Sequence, residues 1–194
     1  LRGLRRGRLN DYLLSGLFMG IGLNGYTAFR IMPIVAGVAL VIFALHTSSA
    51  DLRRRGLIGF ALLALVALVI CTPLVRYAVE HPAQFGERTI TRMFEAERAY
   101  AEPVWLTFIK NVRNGLGMFN YSGGNIWLVG ISGRPAFDLI SAALLPLGAI
   151  IVGIRYWRRR HWLDLFLLLA IPLMMLPSTL SLAFPDENPA MNRR

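Results

Sequence analysis

Long apolar runs separated by clusters of arginine constrain this chain more than any other feature of it. Residues 12–29, 31–46, 57–75, 136–156 and 162–184 are almost wholly apolar. A bilayer's hydrocarbon core of about 30 Å takes roughly 20 residues of helix to cross, and only a helix or a closed barrel satisfies its own backbone there. The first two runs are short and tightly joined through residues 25–30, which predicts a helical hairpin. Composition agrees: 55% of the 194 residues are hydrophobic and only 16% charged, and the mean hydropathy of +0.51 lies outside the usual soluble range. The expected fold class is all-α: a polytopic membrane protein with about five transmembrane helices and an outer amphipathic juxtamembrane helix. Residues 1–75 would carry three spans, a hairpin plus one. Residues 76–134 would form an outer loop with amphipathic helices, and residues 135–194 two more spans and the start of a further outer loop, all within one membrane domain.

A formal net charge of +10 would suit nucleic acid if it were gathered on a soluble surface. The distribution argues otherwise. Arg2, Arg5, Arg6 and Arg8, then Arg53, Arg54 and Arg55, then Arg155, Arg158, Arg159 and Arg160 form three clusters, each beside a long apolar run. Short cytoplasmic loops of membrane proteins retain arginine and lysine in this way. The expected partner is therefore the lipid bilayer, with no nucleic acid. With the clusters inside, residues 26–30, residues 76–134 and the C-terminus fall outside. Asp138 and Asp164 sit near span starts, where they can reach the interface. The basic, apolar opening imitates a secretory signal, but a second apolar run follows at once and the first residue is Leu1. That start, together with the polar stretch 185–194, reads as an internal piece of a larger protein. Cys71, the single cysteine, excludes an internal disulfide and a thiolate cluster. Inside an apolar run it reads as a small core residue.

The long outer stretch has internal order. Pro82 can open a helix over residues 83–99, and Pro103 another that continues to about Gly115. In the second, Trp105, Phe108, Ile109, Val112, Leu116 and Phe119 recur at helical spacing, with Lys110, Asn111, Arg113 and Asn114 on the other side. Such a helix lies on a membrane surface. Gly117, Gly123, Gly124, Gly130 and Gly133 then break regular structure, leaving a loop with Tyr121 and Trp127 near the interface. Gly16 and Gly20 form a GxxxG pair, a sign of close helix packing.

No HExxH, CxxC, P-loop, GxSxG or dinucleotide fingerprint occurs, so chemistry must come from polar groups near the membrane, where an arginine at a helix centre costs about 2.5 to 3.5 kcal/mol. Arg30, flanked by Tyr26 and Phe29 in the tight outer turn, can grip a lipid phosphate bidentately. Its bland reading is an anchor that snorkels to the head groups. Arg88 and Arg92, four residues apart, share a helix face and can clamp one phosphate. The bland reading there is a solvated amphipathic helix. His81, before Pro82, reads first as a cap or turn residue. Glu187, Asn188, Asn192 and Arg193 combine acid, amide and guanidinium in a form that can recognise a sugar or phosphate, or that simply opens a polar loop.

Taken in order, these pieces resemble the family 39 type of membrane glycosyltransferase, which includes dolichyl-phosphate-mannose protein mannosyltransferases and aminoarabinose transferases. Gly25-Tyr26-Thr27-Ala28-Phe29-Arg30-Ile31-Met32-Pro33 is similar to the family's turn between two membrane helices. His81-Pro82 to Arg88 is similar to its outer segment after the next helix. Asn111 to Phe119, then Gly133-Arg134-Pro135 and Asp138, resemble the juxtamembrane helix leading into a span, and Glu187-Asn188-Pro189-Ala190-Met191-Asn192-Arg193 the motif after a later helix. The resemblance implies the multi-helix GT-C fold and a hexosyltransferase-type enzyme in the bacterial inner membrane. It would take a sugar from a polyprenyl or dolichyl phosphate donor at the outer face. Tyr26, Arg30, His81, Arg88, Arg92, Glu187, Asn188 and Arg193 would then bind substrate. The family's catalytic acid sits in a first outer loop that no residue here matches, so no catalytic residue is assigned. No cofactor is certain, and a divalent metal would be held mainly by residues outside this segment. Ser122-Gly123-Gly124-Asn125 departs from the acidic pattern of relatives, which weakens any metal or sugar contact there. The rival reading is a transporter or flippase for a lipid or anionic solute. It would need charges along a path between helices, and the cores of these runs are nearly free of them.

Overall fold

The computed structural model describes residues 1–95, 99–100, 102–124 and 133–185, the side chain of Arg88 excepted. Among the described residues the regular structure is all helical: α1 (Arg2–Arg6), α2 (Leu9–Leu23), a 3-10 turn (Thr27–Ile31), α3 (Met32–His46), α4 (Ala50–Ile70), α5 (Thr72–Glu80), α6 (Pro82–Met93), α7 (Val104–Gly117), α8 (Leu139–Arg159) and α9 (Trp162–Thr179). Among the described residues three helices are long and apolar enough to cross a membrane: the run Thr27–His46 that contains α3, then α8, then α9. The bent pair of α4 and α5 makes a fourth if it is one span. This is compatible with an integral membrane protein but gives fewer than the five spans expected. The run 12–29 divides into α2 and the 3-10 turn. With 15 residues, α2 extends about 22 Å at 1.5 Å per residue, short of a core of about 30 Å.

Prolines explain where the other helices break or hold. Between α4 and α5 the axis turns by 62°, where Pro73 can offer no N–H to the Val69 carbonyl. The Thr72 hydroxyl donates to that carbonyl at 2.8 Å, so the bend leaves it satisfied, and the expected straight run 57–75 ends at Ile70. Inside α8, Pro146 frees the Ala142 carbonyl in the same way, and the Asn120 side-chain amide donates to it at 2.6 Å. The helix opened by Pro82 stops at Met93, earlier than the expected residue 99. Tyr100 folds back there, its hydroxyl donating to the Met93 carbonyl at 2.8 Å and its N–H to the Glu95 carboxylate at 2.9 Å.

Packing divides the chain into unit 1, Leu1–Pro82 with Val152–Ala170, and unit 2, Ala83–Ile151 with Ile171–Arg194. In unit 1, α2 lies against α4 at its two glycines. A Cβ on Gly16 would fall 2.6 Å from the Leu63 carbonyl oxygen, and one on Gly20 would fall 2.7 Å from the Ile70 Cβ. The GxxxG pair therefore lets two backbones touch. Tyr12 is buried beside Gly3 and Gly59, which ties α1 to α2 and α4. Leu4 and Phe43 reach Gly56, Phe43 meets Trp162 edge-on with ring centres 5.3 Å apart, and His46 Nε2 lies 3.2 Å from the Tyr156 hydroxyl. These contacts gather α1, the start of α4, the end of α8 and the start of α9 at one end of unit 1. All three arginine clusters adjoin that end. Asp164 sits in the first turn of α9, near a span start as expected. It is buried, 4% exposed, and the Arg155 guanidinium bonds both its oxygens, one of them at 3.0 Å. Pairing rather than hydration balances this carboxylate.

In unit 2, Asp138 caps α8, accepting the Ser141 N–H at 2.9 Å and its hydroxyl at 3.0 Å. These bonds, the backbone one foremost, favour the ionised carboxylate and hold it below the ordinary aspartate range. The glycine-rich loop is closed at its neck: Gly123 N–H donates to the Arg134 carbonyl at 3.0 Å and Gly133 N–H to Gly124 at 2.9 Å. Gly124 and Gly133 both take positive φ, 84° and 72°, which a side chain would strain. Tyr121 is exposed beside this neck, and Trp127 lies outside the described residues.

Candidate functional site

The turn carrying Tyr26 and Arg30 is held from both sides. At the end of α2 the Asn24 side-chain amide donates to the Gly20 carbonyl at 2.9 Å and to the Ile70 carbonyl at 3.3 Å, which clips α2 to the end of α4. Cys71, buried as expected, donates its thiol to the same Gly20 carbonyl at 3.4 Å. The Phe29 ring then covers Gly22 so closely that a Cβ there would overlap it. Phe29 N–H closes the 3-10 turn on the Tyr26 carbonyl at 2.9 Å, and Pro33 starts α3 where a helix accepts proline. Arg30 is half-buried in consequence, with its Nε shielded from solvent, while Tyr26 is 48% exposed. A guanidinium on so short and braced a turn has few arrangements open to it. Arg30 lies in the 3-10 turn just before α3 and His46 ends that helix, which is 15 residues long, so the turn lies about 22 Å from the arginine end of unit 1.

His81 caps α5, its N–H donating to the Tyr77 carbonyl at 2.8 Å and its ring lying 5.1 Å from the Tyr77 ring. It is exposed, as the turn reading expects. Arg76, one turn before Glu80, pairs with it at 2.7 Å. Tyr26, Arg30 and His81 belong to unit 1, whereas Arg88 and Arg92 belong to unit 2.

In unit 2, Arg88 and Arg92 lie one turn apart on α6. Arg92 is tied to the chain leaving α9. Its carbonyl accepts the Ala183 N–H at 3.1 Å, and its guanidinium sits 4.3 Å over the Phe184 ring. That contact brings one of the expected phosphate ligands to the residues just before the stretch with Glu187, Asn188, Asn192 and Arg193, which themselves lie outside the described residues. The face of the Arg92 guanidinium is thereby used for cation–π contact.

Asn111 is the residue that sequence reasoning placed wrongly. It was expected on the polar, solvated side of the juxtamembrane helix, yet it is 1% exposed. Its amide donates to the Thr179 carbonyl at 3.1 Å and the Ser181 carbonyl at 3.3 Å, capping α9 across space. Helix α7 has three faces: a buried one of Thr107, Asn111 and Gly115, an exposed apolar one with Trp105, Ile109 and Leu116, and a polar one with Lys110 and Arg113. The signal for the buried face was the four-residue spacing of small or compact residues. Asn111→Leu should strand the Thr179 and Ser181 carbonyls, costing about 2 kcal/mol, and should lower the thermal unfolding midpoint in detergent. Asn114→Leu, on the exposed polar face, should leave the midpoint nearly unchanged.

Among the described residues, no three histidine, cysteine, aspartate or glutamate side chains gather into a metal-ligand set. Compared with models of known protein families, with curated proteins and with solved structures, the chain gives no match.

Proposed function

We propose that this chain is part of a membrane glycosyltransferase of the GT-C type, taking a sugar from a polyprenyl phosphate donor at the outer face of a bacterial inner membrane. The observation that carries the reading is the braced turn Tyr26–Arg30. It offers a half-buried guanidinium at the end of α3 opposite the gathered arginine clusters. Under the positive-inside rule the clusters lie in the cytoplasm, which puts Arg30 at the outer leaflet. The apolar surface of α8 supports the membrane setting: only 6% of its span window is buried within the protein, and so large an apolar face calls for lipid or a partner helix. The motif order quoted from the sequence supports the family.

The chemistry proposed is an inverting transfer. A carboxylate supplied from outside these residues takes the acceptor's proton, the acceptor oxygen bonds to the sugar's anomeric carbon, and the bond from that carbon to the lipid phosphate oxygen breaks. The departing phosphate gains negative charge as the bond stretches. A fixed guanidinium is then worth more in the transition state than in the ground state. Arg30 would hold that phosphate, and Tyr26, His81, Arg88 and Arg92 would be further substrate-binding residues. Glu187, Asn188 and Arg193 would contact the sugar or phosphate. A divalent metal, if the enzyme uses one, would be held mainly by residues outside this chain. The reading is tested by supplying labelled polyprenyl-phosphate-linked sugars to membranes containing the full-length protein and following release of the lipid phosphate. Release above that of membranes lacking the protein is expected. Movement of intact donor across the bilayer without release would support a flippase instead.

A further inference from the structure

The arginine end of unit 1 does more than mark a side of the membrane. Its three clusters come from separate parts of the sequence, and the fold brings them together through contacts at their flanks. Leu4, between Arg2 and Arg5, lies over Gly56 beside Arg55, where a Cβ would fall 3.5 Å from the Leu4 Cδ2. Phe43 reaches Gly56 and also Trp162, two residues after Arg160. His46 bonds Tyr156, two residues before Arg158.

The acids at this end are already committed. Asp11 faces Arg2 at 3.5 Å, Asp51 pairs with Arg55 at 3.0 Å, and Asp164 takes Arg155. Arg5, Arg6, Arg8, Arg53, Arg54, Arg158, Arg159 and Arg160 are exposed and have no acidic partner among the described residues. Guanidinium groups gathered this way repel one another unless an anion lies between them.

The surroundings say which anion. Trp157, 75% exposed, projects from the last turn of α8, and Leu9 and Leu52 are exposed beside the other two clusters. Arg160 takes a left-handed backbone, φ 48°, and its guanidinium lies 5.3 Å over the Trp157 ring and 5.5 Å over the Tyr156 ring. Cations stacked on aromatic rings beside exposed apolar side chains, at the ends of bilayer-length helices, match a headgroup with its acyl chain. A soluble polyanion would use only the charge.

We propose that this end of unit 1 is a binding surface for acidic phospholipids, which bridge the three clusters through their phosphates. The inference needs α8 and α9 to meet a bilayer and is independent of sugar transfer, so either reading can fail without the other.

The test uses the purified protein in neutral detergent, with phosphatidylglycerol and phosphatidylcholine as lipid probes and inorganic phosphate and a short RNA as soluble ones. Phosphatidylglycerol should bind and raise the thermal unfolding midpoint, and binding should weaken as salt is increased from 0.05 to about 0.5 M. Phosphatidylcholine and inorganic phosphate should do neither. Changing Arg158, Arg159 and Arg160 together to Gln should weaken phosphatidylglycerol binding about 100-fold, roughly fivefold for each arginine, while the lipid-free midpoint stays put. Should that variant fold poorly, Arg53→Gln with Arg54→Gln serves instead and should lose about 25-fold. Equal binding of phosphatidylcholine, undiminished binding by the Gln variants, or full displacement of lipid by the RNA would overturn the proposal.

Discussion

Arg30→Ala in the full-length protein should, under the proposed transfer, lower turnover of a polyprenyl-phosphate-linked sugar about 100-fold, the scale on which one fixed charge-stabilising donor is missed. The loss should fall on kcat more than on KM, because the phosphate becomes a full leaving group only as the glycosidic bond breaks. Arg30→Lys should recover part of the rate. Lysine keeps the charge but not the planar fork that meets two phosphate oxygens at once. Removing a half-buried side chain from a short turn could also disturb the turn itself, so the folded state is checked by its unfolding midpoint. Asn24, Phe29 and Cys71 also brace the turn and stay in place in the variant. Arg88→Ala, on α6, should also reduce turnover. Full activity in both alanine variants would remove these arginines from the reaction.

The largest loss of stability is expected from Gly16→Val. A Cβ at Gly16 would meet the Leu63 carbonyl oxygen at 2.6 Å and the Val66 Cβ at 2.9 Å. Neither a carbonyl nor a helical Cβ can rotate away, so α2 and α4 must separate, at a cost of about 3 kcal/mol. The damage should spread to the turn end, because Asn24 reaches the Ile70 carbonyl only while α2 and α4 are in register. Gly37→Ala is the matched control. Nothing lies within 4 Å of a Cβ there, and alanine in a helix is favoured over glycine by up to about 1 kcal/mol. The unfolding midpoint in detergent should therefore drop sharply for the first variant and hold or rise for the second. Equal midpoints would mean that the glycine pair is not a helix contact.

What could be read in the sequence was what local chemistry decides. The start of α3 with Pro33 in its first turn, the start of α9 at Trp162 and the extent of α7 after Pro103 follow from proline and hydrophobic spacing. The GxxxG pair announced a close approach, although not that the partner would be α4. Hidden were the features that depend on a distant partner. Asp164 looked like an interfacial charge because Arg155 lies across a helical hairpin from it. Asn111 looked solvated because the carbonyls it caps lie at and just past the end of α9, about 70 residues further on. Tyr100 ends α6 by returning to Met93, which no helix propensity foretells. Of the candidate site, the Tyr26–Arg30 turn was legible as a tight connection, but its bracing by Asn24 and Cys71 was not. Arg92 was legible as a cation on α6, whereas its place over Phe184 was not.

Sidedness carries the whole account, and single-cysteine labelling measures it directly. Native Cys71 is buried and should stay silent toward a membrane-impermeant maleimide. A cysteine at Tyr26, in the braced turn, should react in intact cells, and one at Ser48, beside the arginine clusters, only after the membrane is opened. The reverse pattern, with position 48 labelled in intact cells and position 26 protected until permeabilisation, would put Arg30 in the cytoplasm and contradict the account.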